Sequence, residues 1–186
     1  MEEIHPVARY VATRKHWQLF VVFLFYAMIA LVIVEHQVDF TNPRTESLSL
    51  VLALAIPFAV GAYLWIWSIG HISNKCCPDE LRRSDRLFNF VFPLAIIYLL
   101  IALFVWPSLF GTDQPAPVLW VILPAHYICT LLVFYGLAQS AMRLRTVEQR
   151  QRVGFWRALG TLFLIWYFPI GVWFIQPRLR DVIERL

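Results

Sequence analysis

A chain of 186 residues that is 60% hydrophobic and only 15% charged, with a mean hydropathy of +0.63, lies outside the balance of soluble domains and excludes a solvated globular fold. The net charge of +4 points, in so apolar a chain, to anionic lipid headgroups. No nucleic-acid partner is expected.

A polar arm carrying Glu2, Glu3, Arg9, Arg14 and Lys15 precedes the first apolar run, residues 17–34. That run is long, and no small-x-small cleavage pattern follows it, so it reads as a retained helix rather than a secretory signal. Further apolar runs occupy residues 48–70, 90–110 and 118–138, and none of the four contains Asp, Glu, Lys or Arg. At 1.5 Å per residue, about 20 residues cross roughly 30 Å of hydrocarbon. The expected fold is therefore an all-α integral membrane bundle of four transmembrane helices.

Lys and Arg in short loops stay on the cytoplasmic side. With the N-terminus inside, that side receives Arg9, Arg14 and Lys15, then Lys75, Arg82, Arg83 and Arg86, then Arg143, Arg145, Arg150, Arg152 and Arg157; the opposite loops hold only Arg44. The intervening polar stretches, "HISNKCCPDELRRSD" and "AMRLRTVEQRQRVGFWR", are long enough for helices to protrude from the bundle. Pro78, Asp79 and Glu80 read as a helix start, with Arg82, Arg83 and Arg86 expected near headgroups. Adjacent Cys76 and Cys77 lack zinc-knuckle spacing and do not readily form a ring disulfide, so neither a metal nor any other cofactor is expected.

Within the fourth run, "LPAHYICTLLVFY", His126 is the ionisable group at membrane depth. Tyr127, Thr130 and Tyr135 add polar atoms on the same helix. An intramembrane histidine usually faces the bundle interior and pairs with a neighbour; a hydrogen bond to a tyrosine, or to a carbonyl loosened by Pro124, is the simpler reading, and a proton or ion pathway the alternative. Pro57, Pro93 and Pro124 each interrupt a run and mark kinks.

The last apolar stretch, residues 158–176, poses a conflict. As a fifth span it places Arg178, Arg180 and Arg185 outside and blurs the charge asymmetry. As a hairpin turning at Pro169 and Gly171 it keeps them inside. The expectation is a C-terminal re-entrant or interfacial helical hairpin over residues 154–186, with five transmembrane helices as the alternative. Val172, Ile175, Leu179, Val182 and Leu186 recur at helical spacing opposite Arg178, Arg180, Asp181, Glu184 and Arg185, the pattern of an amphipathic helix at a headgroup boundary.

The run from Arg145 to Arg180, ending in "FPIGVWFIQPR", resembles a group of small uncharacterised bacterial polytopic membrane proteins. The matching positions are Pro169, Gly171, Trp173, Gln176, Pro177 and Arg178. The resemblance implies a multi-pass protein of the bacterial inner (cytoplasmic) membrane and brings no reaction, cofactor or ligand; the charge asymmetry puts the N-terminus, and with a hairpin the C-terminus, on the cytoplasmic side. No nucleophile–base pair, paired intramembrane carboxylates or phosphate loop is visible, so no enzyme is expected. The leading functional expectation is a non-enzymatic protein acting through assembly, as homo-oligomer or accessory membrane subunit; the alternative is a small transporter, channel or pore-forming effector using His126 and the kinked helices.

Overall fold

The computed structural model describes residues 4–37, 45–110 and 119–184, with side chains at 4–37, 49–105 and 120–184. Among these residues seven α-helices follow one another: α1 Pro6–Thr13, α2 His16–Gln37, α3 Thr45–Lys75, α4 Arg86–Phe110, α5 Leu119–Gln149, α6 Phe155–Trp166 and α7 Phe168–Glu184. There is no strand among the described residues. Four helices, namely α2 and the stretches Ser49–Lys75, Arg86–Val105 and Trp120–Gln149, are long and apolar enough to cross a membrane, and α6 and α7 form a pair bent by 118°. This is the four-helix bundle with a C-terminal hairpin.

Each of α3 and α5 has 31 residues, about 46 Å at 1.5 Å per residue, which exceeds the hydrocarbon thickness by several turns. The surplus lies at one end, where the basic residues gather, and the packed core sits there too. Helix α3 is central and touches α1, α2, α4, α5 and α7. It approaches α5 closely at Gly70, where an added Cβ would stand 2.7 Å from the Ser140 hydroxyl and 2.3 Å from the Phe88 ring. Ser140 donates to the Ile66 carbonyl at 2.9 Å and to that of Gly136 at 3.0 Å, so a small residue on each helix lets the backbones meet.

The arm before the first span is more ordered than its polarity implied. Pro6, in the first turn of α1, presets a helical φ where no intrahelical donor is needed. Ala8 and Ala12, four residues apart, are fully buried, and their small size lets α1 lie against α3 while Arg9 and Tyr10 face outward. Pro78 precedes only a single 3-10 turn, Asp79–Leu81, rather than a longer helix.

The C-terminal turn is displaced from its expected position. The chain reverses at Tyr167 (φ −80°, ψ 61°), not at Pro169 and Gly171. Pro169 falls in the first turn of α7, where a backbone N–H has no helical acceptor, so proline removes a donor that would otherwise be orphaned. Gly171 lies inside continuous helix, and no glycine among the described residues has a positive φ. Its need for glycine is steric: a Cβ there would stand 1.7 Å from the Leu164 carbonyl oxygen of α6. The two arms of the hairpin touch backbone to backbone.

Phe168 leads α7 into the bundle and packs edge-on against Phe23 at 4.3 Å and Trp65 at 4.9 Å. Val172, Ile175, Leu179 and Val182 are buried. Their stripe is read correctly as apolar, but it faces protein, with α7 against α2, α3 and α6, rather than a headgroup boundary. Leu186 and Arg185 lie outside the described residues.

Gly171→Ala is expected to lower stability by about 1–3 kcal/mol, the usual range for overpacking, because the obstructing atom is backbone and cannot rotate away. Thermal unfolding in detergent or nanodiscs checks this; an unchanged midpoint would mean the arms do not touch at Leu164.

Candidate functional site

Two polar assemblies stand out in this apolar chain. The first is the clasp around Gln176, whose side chain is fully buried. Its Oε1 accepts from the Trp65 indole N–H at 3.0 Å. Its Nε2 lies 3.0, 2.9 and 3.0 Å from the carbonyls of Val11, Ala12 and Arg14. The amide orientation is dictated by chemistry: an indole N–H only donates and a backbone carbonyl only accepts, so a flipped amide would oppose like with like on both sides. Two amide hydrogens are shared by three carbonyls at the end of α1, groups that a helix C-terminus leaves without intrahelical donors. One side chain of α7 thus caps α1 and ties it to α3.

Beside the clasp, Arg178 grips Glu148 of α5 in a bidentate pair, Nε–Oε1 2.6 Å and Nη2–Oε2 2.7 Å, with Thr161 of α6 at 3.4 Å. Its expected headgroup role is therefore corrected: the guanidinium is engaged by a carboxylate on a neighbouring helix. The Trp173 ring meets that of His16 at a tilt, 4.6 Å between centroids, and Pro177 sits within α7 on its exposed side. Of the other basic residues expected near headgroups, Arg82 bonds the carbonyls of Lys75 and Cys77 after α3 and pairs with Asp79 at 2.8 Å. Arg83 donates to the Val153 carbonyl at 2.8 Å, Arg86 is exposed, and Arg180 pairs with Glu184 at 3.5 Å.

Arg143, read from sequence only as one more basic loop residue, is 1% exposed. It donates to Asp85 at 2.7 Å and to the Ser84 carbonyl at 2.8 Å, and its guanidinium lies 4.0 Å over the Phe88 ring. Asn74 donates to the same Asp85 at 3.0 Å and to the Arg83 carbonyl at 2.8 Å, locking the short connection between α3 and α4 onto α5. Nearby, burial and the neighbouring Cys77 push the Cys76 thiol up to about 11, against the opposing pull of Arg82. It is therefore protonated at neutral pH and a poor nucleophile. His71 stacks on Trp67 at 4.9 Å, edge-on to His5 at 6.4 Å.

The second assembly lies in the apolar half. His126 does not face the bundle interior: it is on an exposed side of α5, with Nδ1 2.9 Å from the Tyr98 hydroxyl of α4. A tyrosine partner was one of the two expected. Thr130, one turn on, donates back to the His126 carbonyl at 2.8 Å. These residues border a groove of about 320 Å³ between α4 and α5, which Tyr63 of α3, Cys129 and Trp166 of α6 also line. Tyr127 points away from it and is 66% exposed, while Tyr135 packs partly buried against the core. Of the four residues expected at a polar intramembrane site, His126 and Thr130 line the groove, while Tyr127, whose ring meets that of His126 edge-on at 6.3 Å, and Tyr135 do not. The fold adds Tyr98, whose signal was a lone hydroxyl in the middle of "FPLAIIYLLIAL", and Tyr63.

No family model, curated protein or solved structure matches the chain.

Asp85→Ala is expected to destabilise by about 3–5 kcal/mol, because it strands a buried guanidinium, whereas Glu184→Ala, which breaks the exposed pair with Arg180, should cost less than about 1 kcal/mol. Chemical or thermal denaturation of the two variants side by side measures the contrast; equal effects would refute the assignment of Arg143–Asp85 as the lock of the basic end.

Proposed function

We propose that this is a small, non-enzymatic bacterial inner-membrane protein that acts through assembly, as a homo-oligomer or as an accessory subunit of a larger membrane complex. In this reading both termini are cytoplasmic, the α6–α7 hairpin re-enters from that side, and Arg83, Arg86 and Arg180 lie toward anionic headgroups. The likeness of "FPIGVWFIQPR" to small bacterial membrane proteins supports the location. The return of α7 to Glu148, at the basic end of α5, supports a hairpin over a fifth span.

The observation that carries the assembly reading is α2. It is a 22-residue apolar helix with no buried residue, held at its basic end by Phe23 against Phe168 and by the Tyr26 hydroxyl on the Leu54 carbonyl at 2.6 Å. Beyond that, Met28, Ile29, Leu31 and Val32 are all more than half exposed. The adjoining groove of about 310 Å³ between α2 and α3 is bordered by Ala27, Ala30 and Ala55, and small residues of this kind let another helix approach closely within a bilayer.

The test is cross-linking in native membranes. With Cys76, Cys77 and Cys129 replaced by serine, single cysteines at Met28 and at Leu31 should yield a discrete product larger than one chain, and particle mass in nanodiscs should exceed that of a monomer. A single chain by both measures would overturn the proposal.

A further inference from the structure

A pocket of about 510 Å³ lies where α1 gives way to α2, lined by Tyr10 and Arg14 from the end of α1 and by Trp17, Gln18, Val21 and Val22 from the first turns of α2. Trp17 is the first residue of the uncharged run 17–34, and tryptophan at the start of a span sits at the membrane–water interface. The pocket therefore straddles the boundary between headgroups and hydrocarbon. Tyr10, Trp17 and Val22 are exposed, so it is open toward lipid.

Its polar part is built of donors. Gln18 Oε1 accepts from the Lys15 backbone N–H at 3.1 Å, and since that partner only donates, the amide orientation is fixed and Nε2 is the free end. Among the described residues neither that Nε2, nor the Arg14 guanidinium, nor the Trp17 indole N–H has a protein acceptor. No Asp or Glu lines the pocket. Arg14 is nonetheless held in place, because its carbonyl accepts from Gln176 at 3.0 Å and its guanidinium lies 4.0 Å over the Tyr10 ring. A positioned guanidinium beside two neutral donors suits an anion that brings only acceptors, and a phosphate matches the guanidinium fork bidentately. The ammonium of a zwitterionic headgroup would find no carboxylate here, and Arg14 already covers the Tyr10 face.

The apolar part says what carries the phosphate. Val21 and Val22 form the wall beyond the donors, and Val22 and Phe25, three residues apart on one side of α2, are both more than half exposed. They extend the pocket as an apolar track into the hydrocarbon layer, which a soluble phosphate would leave unused.

We propose that this pocket holds one anionic phospholipid whose headgroup has no amine, of the phosphatidylglycerol kind, with its phosphate on Arg14, Gln18 and Trp17 and the start of one acyl chain along Val22 and Phe25. A single lipid in a fixed place distinguishes the site from the general attraction of the basic end to headgroups.

The full chain in detergent micelles is titrated with an equimolar mixture of dioleoyl phosphatidylglycerol, phosphatidylethanolamine and phosphatidylcholine, and bound lipid is counted per chain by native mass spectrometry. One phosphatidylglycerol per chain should be retained in preference to the other two. Arg14→Gln should weaken retention by about ten- to hundredfold, the effect of hydrogen bonds to a charged group, and Gln18→Leu by about two- to tenfold. Arg86→Gln, which removes an exposed cation elsewhere at the basic end, should leave retention unchanged. A phosphatidylglycerol with a diazirine near the carboxyl end of one acyl chain should label Val22 and Phe25. Equal retention of the three lipids, equal losses in Arg86→Gln and Arg14→Gln, displacement of the lipid by inorganic phosphate, or label spread over all the spans would each overturn the proposal. Should the thermal midpoint of Arg14→Gln fall, Gln18→Leu and the position of the label decide the matter. Lipid is counted per chain at any oligomeric mass, so failure here leaves the assembly reading standing, and the converse holds.

Discussion

A single buried amide governs the arrangement of the basic end. Gln176 joins three segments that are far apart in sequence, with its oxygen on Trp65 and its nitrogen on the terminal carbonyls of α1. In water such bonds would merely replace solvent bonds and contribute about 0.5–1.5 kcal/mol each. Buried among apolar side chains they count for more, since the Trp65 indole N–H and the amide itself would otherwise be stranded. The clasp therefore decides where α7 lies, and much follows from that. Phe168 is carried into the Phe23–Trp65 cluster, Gly171 is brought onto the Leu164 carbonyl, and Trp166, two residues before Phe168, becomes a wall of the His126 groove.

Packing is distributed unevenly along the bundle, and the unevenness separates two kinds of work. At the basic end, Trp65, Ile69, Ile72, Phe88 and Leu144 are almost wholly buried, together with Arg143, and polar networks close around them. At the other end the spans diverge and leave grooves between α2 and α3 and between α4 and α5. Local opening is favoured where few buried contacts oppose it. The groove residues thus occupy the softer half but are hung from helices whose other ends are tied by the polar networks of the basic end.

Much of the architecture is legible in the residues because the bilayer leaves few options: long uncharged runs must be helices, and the i, i+3, i+4 stripe of α7 is buried as its spacing implies. What escapes the sequence is which partner each polar group finds. The stripe of α7 could face lipid or protein with the same periodicity, and only the tertiary fold selects protein. Arg178 lies 30 residues from Glu148, beyond the i,i+3 or i,i+4 spacing of local helical pairs. Arg143 looked like a loop charge because α5 continues beyond its apolar run, and nothing local showed that α3 and α4 would close over it. The turn at Tyr167 was hidden by its neighbours: Pro169 and Gly171 are the conspicuous residues, but one removes a donor and the other makes room for a carbonyl, while the reversal itself falls on an ordinary tyrosine. His126 was found by its charge type; its partner Tyr98 carries no such flag.

The same details show why a hairpin can occupy an apolar layer at all. A chain reversal in hydrocarbon must leave no unpaired backbone groups. Here the Tyr167 N–H bonds the Phe163 carbonyl at 2.8 Å, and the Tyr167 carbonyl accepts from the Gly171 N–H at 2.8 Å. The second residue of α7 is a proline with no N–H to satisfy. A straight continuation of α6 would carry Gln176 about 31 Å from Phe155 at 1.5 Å per residue, across the bilayer from the α1 carbonyls and from Glu148. It would give up the clasp and the bidentate pair together, taking from Trp65 its acceptor and from the α1 terminus its side-chain donor, and leaving Glu148 only its 3.6 Å contact with Arg145. The proline, the glycine, the glutamine and the arginine of "FPIGVWFIQPR" thus serve one physical requirement, a tight reversal that spares a donor at its turn and whose far end is tied to α1, α3 and α5.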